Sequence, residues 1–332
     1  MNGTPEIRID QVLDEIITSI HMQFGMSVVG TSILTKGWLN VKWRCDIQPD
    51  SRSVFVKYYH PDRYKLHLPE RRAKIERTLF LQQRLHEQGF TCPRVYEGNG
   101  AYIQETPSGF LFAMMDWVQG NVREAGKMSR SDMYDFGQKT GRMHQLLCDE
   151  ELDASAWHPN QTACLADLQS NLKQARDEQC HPLIELLEQA IHHVEMLDFR
   201  IFEESRIGWT HWDLWADNVI VDENKIAGIV DFDRMAVAYP EIDVARAILS
   251  GAFDAGGIRV DAVQAFIAGY REHMEVPTGL ILRSFKMLYL IESIWWLRTP
   301  VLRDTAVPKR FLEEMIWLTQ HWDELPYLFS DY

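Results

Sequence analysis

Gly208-Trp-Thr-His211-Trp-Asp213-Leu-Trp-Ala-Asp-Asn218-Val-Ile-Val-Asp222, followed by Gly228-Ile-Val-Asp231-Phe-Asp233, is the stretch on which the reading of this 332-residue chain turns. An apolar run over 207–209 leads into His-x-Asp-x4-Asn. Two short apolar runs, 218–221 and 226–230, follow, separated by the turn Asp222-Glu-Asn224. β-rich runs on either side of a polar turn read as a hairpin, which would bring Asn218 and Asp231 to one mouth. Three fixed polar positions arise by accident in roughly 0.04 of chains this long, given average residue usage. A second acidic motif on the next hairpin makes coincidence a poor account.

Phosphoryl transfer needs an acidic group at the acceptor hydroxyl and oxygen ligands for the magnesium ions that bridge the phosphates. Asp213, Asn218 and Asp231 are those residue types. Protein kinases show the same spacing in His-Arg-Asp-Leu-x-x-x-Asn and a later Asp-Phe-Gly, and Leu214 occupies the Leu position. The chain resembles the aminoglycoside phosphotransferase and choline kinase family, whose catalytic loop is usually His-Gly-Asp-Leu/Ile-x-x-x-Asn. The resemblance spans nearly the whole chain and is strongest over 205–250. The acidic third residue of Asp-Phe-Asp is similar to that family's variants and unlike Asp-Phe-Gly, which favours a metabolite acceptor over a protein. Two departures are Trp212, where the family usually has Gly, and Trp215, where it often has a polar residue; they narrow or line the acceptor site.

The resemblance implies an α+β, protein-kinase-like fold of two lobes, with a small antiparallel-sheet N-lobe over 1–116 and a larger, mainly helical C-lobe over 117–332. It also implies ATP and Mg2+ as cofactors, Asp213 as catalytic base, and Asn218 and Asp231 as metal ligands. His211 holds the loop, Asp243 within Tyr239-Pro-Glu241-Ile-Asp243-Val-Ala245 buttresses it, and Asp233 supports the site or, with Trp215, meets the acceptor.

The N-terminal part fits a nucleotide lobe. Apolar residues at Ile9, Val12, Leu13, Ile16, Ile17 and Ile20 have amphipathic helical spacing, predicting a leading helix over 9–24. β-rich runs over 28–34, 39–47 and 53–59 predict strands, broken by Lys36-Gly37 and Gln48-Pro-Asp-Ser51. The loop 35–40 carries Gly37 and Asn40 where a phosphate-covering loop would lie. Lys57, ending an apolar strand, is similar to the strand lysine that holds the α- and β-phosphates in kinases. A helix over 69–88 should supply a carboxylate to orient it; Glu76 is the first choice and Glu70 the second. Further strands are expected over 90–95, 101–104 and 110–115. Met114-Met-Asp116-Trp-Val118-Gln-Gly120 stands where a kinase hinge would bond the adenine, with Met115, Asp116 and Val118 as contacts.

After residue 128 the periodicity predicts helices over 132–147, 165–178 and 182–199, then 260–273, 279–297 and 308–325. His144 reads as a core or capping histidine, and His192-His193 as surface. Trp295, Trp296, Trp317 and Trp322, near Glu292, Glu313 and Asp323, suit either a core or a site for a cationic amine bound through ring faces.

Composition sets the bounds. Hydrophobic residues make up 46% and aromatics 11%, enough for a sizeable core in one domain pair. No apolar run approaches the length of a membrane span, and the N-terminus lacks a signal-peptide layout, so a cytoplasmic location is expected. Five scattered cysteines without C-x-x-C suggest neither disulfides nor a zinc site. Residues 1–116 carry 14 Lys+Arg and 13 Asp+Glu, leaving 20 and 35 of the chain's 34 and 48 for the remainder. An acidic surface repels nucleic acid and anionic lipid; it either favours a cationic acceptor or keeps the larger lobe soluble. The expected partner is therefore a small-molecule hydroxyl acceptor, with neither nucleic acid nor membrane. A non-catalytic nucleotide-binding scaffold on the same fold is the alternative; it would need none of Lys57, Asp213, Asn218 and Asp231.

Overall fold

The computed structural model describes residues 8–34, 41–49, 51–152, 154–223, 225–304 and 309–329. Gly37 and Asn40, with the loop 35–40, lie outside them. The chain divides into two compact units, one of Met1–Gly120 with Ala227–Asp233, the other of Asn121–Ile226 with Arg234–Tyr332. The division falls four residues beyond the expected 116/117 boundary, and 227–233 belongs with the first unit rather than the second.

In unit 1, α1 (Ile9–Phe24) ends at Gly25, whose φ of 65° is a left-handed conformation that glycine adopts without penalty. It is followed by β1 (Ser27–Leu34), β2 (Val41–Gln48), β3 (Arg52–Tyr58), the short α2 (Pro61–Tyr64), α3 (Pro69–Glu87), β4 (Gln104–Glu105) and β5 (Leu111–Asp116). The strands form one sheet in the order β1-β2-β3-β5-β4, antiparallel throughout. The strand expected over 90–95 is reduced to a single bridge between Val95 and Met115. The strand period of two decides what each face buries. Val54, Val56 and Tyr58 of β3 point to the side where Val12, Ile16 and Ile20 of α1 pack. Phe55 and the next residue after the strand, Tyr59, point to the other side, against Ile75 and Leu79 of α3 and Ala113 and Met115 of β5. Lys57 shares that second face, so an apolar strand delivers a lysine into an apolar layer.

Unit 2 contains β6 (Asn121–Val122), α4 (Arg130–Leu147), α5 (Gln161–Asp177), α6 (His181–Met196), β7 (Gly208–Thr210), β8 (Val219–Asp222) and the start of β9 (Lys225–Ile229). The chain passes into unit 1 within β9. Returning to unit 2, it forms β10 (Ala236–Ala238), α7 (Glu241–Ala252), β11 (Phe253–Asp254), β12 (Gly257–Ile258), α8 (Val260–Tyr270), α9 (Leu280–Trp296), α10 (Thr299–Arg303), α11 (Lys309–Gln320) and α12 (Leu325–Leu328). All 12 residues of α7 are buried, so a helix that alternation had not revealed lies within the core of this unit. Its burial on every side removes the amphipathic signal. The cap at Ser129 is reciprocal: its side chain accepts from Asp132 N, and Asp132 accepts from Ser129 N.

Helices α4 and α8 approach backbone to backbone. A Cβ added at Gly137 would stand 1.9 Å from the Phe266 carbonyl oxygen, and one at Gly269 would stand 2.0 Å from that of Tyr134. Neither position accepts a side chain without separating the helices. No helix among the described residues is long and apolar enough to cross a membrane.

Candidate active site

Lys57 is 2% exposed and lies 2.7 Å from Asp231 Oδ1 and 2.7 Å from Asp233 Oδ2. A buried ammonium is tolerable only when carboxylates compensate its lost hydration. Burial alone would depress its pKa, but Asp231 and then Asp233 outweigh it and hold the lysine well above its ordinary value. Asp233, 7% exposed, is pushed up by burial and pulled back by Lys57. Asp231 also receives Lys42 at 3.5 Å. Lys42 and Lys57 are cross-strand partners in the β2–β3 register, so their side chains share a face. That register was the available signal for Lys42, which the motif reading missed. Asp231 has φ 67°, a left-handed backbone that costs a non-glycine residue about 1–2 kcal/mol. Strain of this kind collects where geometry serves function.

Glu76 has a different task from the one expected of it. Its two carboxylate oxygens accept the amides of Tyr102 and Ile103, each at 2.9 Å. The carboxylates that meet Lys57 come instead from Asp-Phe-Asp. Helix α3 directs Glu76 toward the turn before β4, and a helix-to-strand pairing guessed from sequence cannot distinguish these two destinations.

The expected adenine contacts all lie in unit 1. Met115 is buried on the α3 face. The Asp116 amide donates to Arg94 O at 3.0 Å and its carboxylate accepts from Tyr96 OH at 2.7 Å, so its side chain is engaged by the protein itself. Val118 packs on Gly228, where an added Cβ would come within 2.9 Å of Val118 Cγ1.

In unit 2 one carboxylate, that of Asp243, holds the start of the loop 211–218, and farther along Ala216 N donates to Ser250 Oγ at 2.6 Å. Asp243 is fully buried. Its Oδ2 accepts His211 N at 2.6 Å and lies 3.1 Å from His144 Nε2, and its Oδ1 accepts Trp212 N at 2.9 Å. His144 Nδ1 lies 3.0 Å from Tyr270 OH. With Nε2–H donated to Asp243, Tyr270 donates to Nδ1, and the chain of bonds is consistent. His144 is thus a core histidine, the first of the two readings, core or capping, that the sequence offered. Trp212, at the position usually held by Gly, has φ 65°, which explains the preference for Gly there. Its ring meets Trp157 edge to face at 5.9 Å.

Asp213, with 19% of its side chain exposed, has Arg234 at 3.4 Å. Asn218, the last residue of a 3-10 turn Ala216–Asn218, donates its Nδ2 to Asp213 O at 2.8 Å. That bond assigns the amide, leaving Oδ1 as its acceptor face. Asn218 and Asp213 are therefore held together in unit 2, while Lys57, Asp231 and Asp233 are held together in unit 1.

Of the acidic residues weighed for a cationic amine, Glu292 is engaged within the protein, whereas Glu313 and Asp323 are exposed. The Arg246 guanidinium lies 3.6 Å over the Trp215 ring, pairs with Glu292 Oε2 at 2.6 Å and also pairs with Glu314. Trp296 stacks on Phe311 and donates to Glu292. Trp215 and Glu292 therefore hold an internal cation, which matches the core alternative for Glu292 and gives Trp215 a partner within the protein. Trp322 is core, stacked on His193, which makes His193 half-buried rather than surface; Trp295 is exposed. All five cysteines are free and only Cys148 is exposed.

A small antiparallel sheet carrying a buried strand lysine, and a separate helical unit presenting His-x-Asp-x4-Asn, define a phosphotransferase of protein-kinase-like fold. The chain belongs to the phosphotransferase enzyme family, whose model matches residues 32–277. Similar solved structures include spectinomycin phosphotransferase APH(9)-Ia in complex with ADP and spectinomycin, 16% identical over 96% of each chain with a TM-score of 0.57. Amicoumacin kinase hAmiN in complex with AMP-PNP, Ca2+ and Ami is 13% identical over 96% of each chain, with a TM-score of 0.59. Macrolide 2'-phosphotransferase MphH from Brachybacterium faecium is 13% identical over 93% of this chain and 97% of its own, with a TM-score of 0.59. No curated protein matches.

Proposed function

We propose that the protein transfers the γ-phosphoryl group of ATP to a hydroxyl of a small metabolite or antibiotic, with Mg2+ as the metal. The observation that carries this reading is Lys57, a buried lysine ion-paired with the first carboxylate of Asp-Phe-Asp. A protein that merely folds has little reason to bury that cation, because desolvating an ion pair rarely adds stability.

The roles follow from residue chemistry. Lys57 binds the α- and β-phosphates, and the backbone around Asp116 and Val118 receives the adenine. Asp213 orients the acceptor hydroxyl; in a loose transition state a carboxylate of ordinary basicity suffices, since little proton removal precedes attack. Asn218 Oδ1 and Asp231 are the protein's metal ligands. Among the described residues no cluster of three or more His, Cys, Asp or Glu is arranged to hold a metal. Magnesium needs less, because it binds one or two protein oxygens together with substrate phosphates and water. When bound, it neutralises charge developing on the phosphates.

The acceptor is open among alcohols of several classes. The internal use of Glu292, Glu314 and Trp215 by Arg246 supports an acceptor selected elsewhere than at that cluster. The test is purified protein with Mg2+ and ATP against aminoglycosides, other antibiotics, amino alcohols, homoserine and sugars, reading ADP release beside Asp213→Asn. Release stimulated by one acceptor and lost in the variant is the expected result. Stimulated release that persists in Asp213→Asn contradicts the role of Asp213.

A further inference from the structure

We infer that Asp233, the third residue of Asp-Phe-Asp, is the positioning carboxylate for Lys57, in the place that a glutamate of the helix after β3 was expected to fill. The inference rests on the function proposed above. Three observations support it, all within unit 1. Both carboxylate oxygens of Glu76 accept backbone amides at 2.9 Å, so that residue is committed to the turn at 102–103. Asp233 lies 2.7 Å from Lys57 Nζ and has 6% of its side chain exposed. Asp231, by contrast, has 26% of its side chain exposed and a second lysine, Lys42, at 3.5 Å.

The two acids therefore differ in what they can release. Asp231 can turn toward a metal while Lys42 remains beside it, and it is the more solvated of the pair. Asp233 cannot leave Lys57 without removing a carboxylate from a buried charge, which is strongly unfavourable. Lys57 keeps one fixed carboxylate as Asp231 changes partners, and its ammonium stays aimed as the phosphates arrive. The acidic third residue thus has a function that Gly at that position could not perform.

The experiment uses the full chain and two readouts. The first needs no nucleotide: acetylation of Lys57 by acetic anhydride, mapped by peptide mass spectrometry. Asp233→Asn is expected to raise the Lys57 rate several-fold, because the ammonium loses a buried carboxylate partner, whereas Glu76→Gln leaves it within about twofold and Asp233→Glu restores protection. The second is the Kd of ADP measured by calorimetry without metal. Asp233→Asn is expected to weaken it about tenfold, the loss of one charge-assisted alignment, and to have no further effect in a Lys57→Met background. If Glu76→Gln exposes and weakens Lys57 while Asp233→Asn does neither, the assignment is overturned. Equal weakening by Asp233→Asn with and without Lys57 also overturns it, because Asp233 would then act on the ligand directly. If the wild type binds neither ADP nor ATP, the proposed function fails, and the acetylation rates alone decide the pairing.

Discussion

Replacing Asp243 by Ala removes the acceptor for three donors at once: His211 N, Trp212 N and His144 Nε2–H. Asp243 and His211 have no solvent exposure and His144 almost none, so water has little access to replace the carboxylate. Each stranded donor costs roughly 1–3 kcal/mol; with some relaxation of the loop, a total of about 4 kcal/mol is expected. For a folding unit of about 200 residues this lowers Tm by roughly 8–16 °C. Asp243→Asn is the sharper variant, since it keeps shape and turns one acceptor oxygen into a donor facing an N–H. It is expected to lose at least about half as much, because a donor facing a donor satisfies neither. Urea and thermal unfolding give the energies. Hydrogen exchange at the amides of 211 and 212 localises the effect, and both should lose protection well before the α4 and α8 amides. A loss under about 1 kcal/mol in Asp243→Ala, with amide protection unchanged, would refute the account of the start of the loop as held by this carboxylate.

Other consequences are open to measurement. Gly137→Ala should destabilise by roughly 3 kcal/mol, the upper range of overpacking, because its Cβ would meet the Phe266 carbonyl at 1.9 Å; a neutral effect in chemical denaturation would contradict the close approach of α4 and α8. Arg246→Met strands Glu292 and Glu314 and should cost about 3–5 kcal/mol, read as a shift in denaturation midpoint, whereas an unchanged midpoint would deny the internal role assigned to this cation. Burial holds the His193 imidazole below its ordinary pKa, against the raising effects of Thr319 O and Asp323. The unfolded chain then takes up the proton first as pH falls, so this contribution is present above about pH 6.5 and is lost as pH drops through the lower folded value. Unfolding measured from pH 8 to 5 should show that loss, and His193→Gln should flatten it.

Motif spacing named Asp213, Asn218 and Asp231 as candidates, and where other sequence readings failed the reasons are local. α1 follows from its apolar spacing to the residue, because one face packs on a sheet and the other meets water. α7 escaped because a helix buried all round has no polar face to set the period. Lys57 could be found from its strand, but not its partner: α3 offers several glutamates, and only the fold shows Glu76 turned to the amides of Tyr102 and Ile103. Lys42 was legible in principle, since alternation across β2 and β3 pairs it with Lys57. The tryptophan and glutamate residues of the C-terminal helices could not be assigned from spacing, because a partner such as Arg246, 46 residues from Glu292, leaves no local trace. The left-handed backbone at Trp212 gives a physical reason for glycine at that position in related loops.

The proposed role of Asp213, acting on the acceptor and not on the nucleotide, is tested by transfer of labelled γ-phosphate from ATP by wild type and Asp213→Asn, with nucleotide affinity determined on the same preparations. The account predicts a labelled small-molecule product whose formation falls by about 10²-fold or more in the variant while the Kd for ATP stays within about twofold. Turnover equal to wild type in Asp213→Asn, or loss of ATP binding together with turnover, would contradict it.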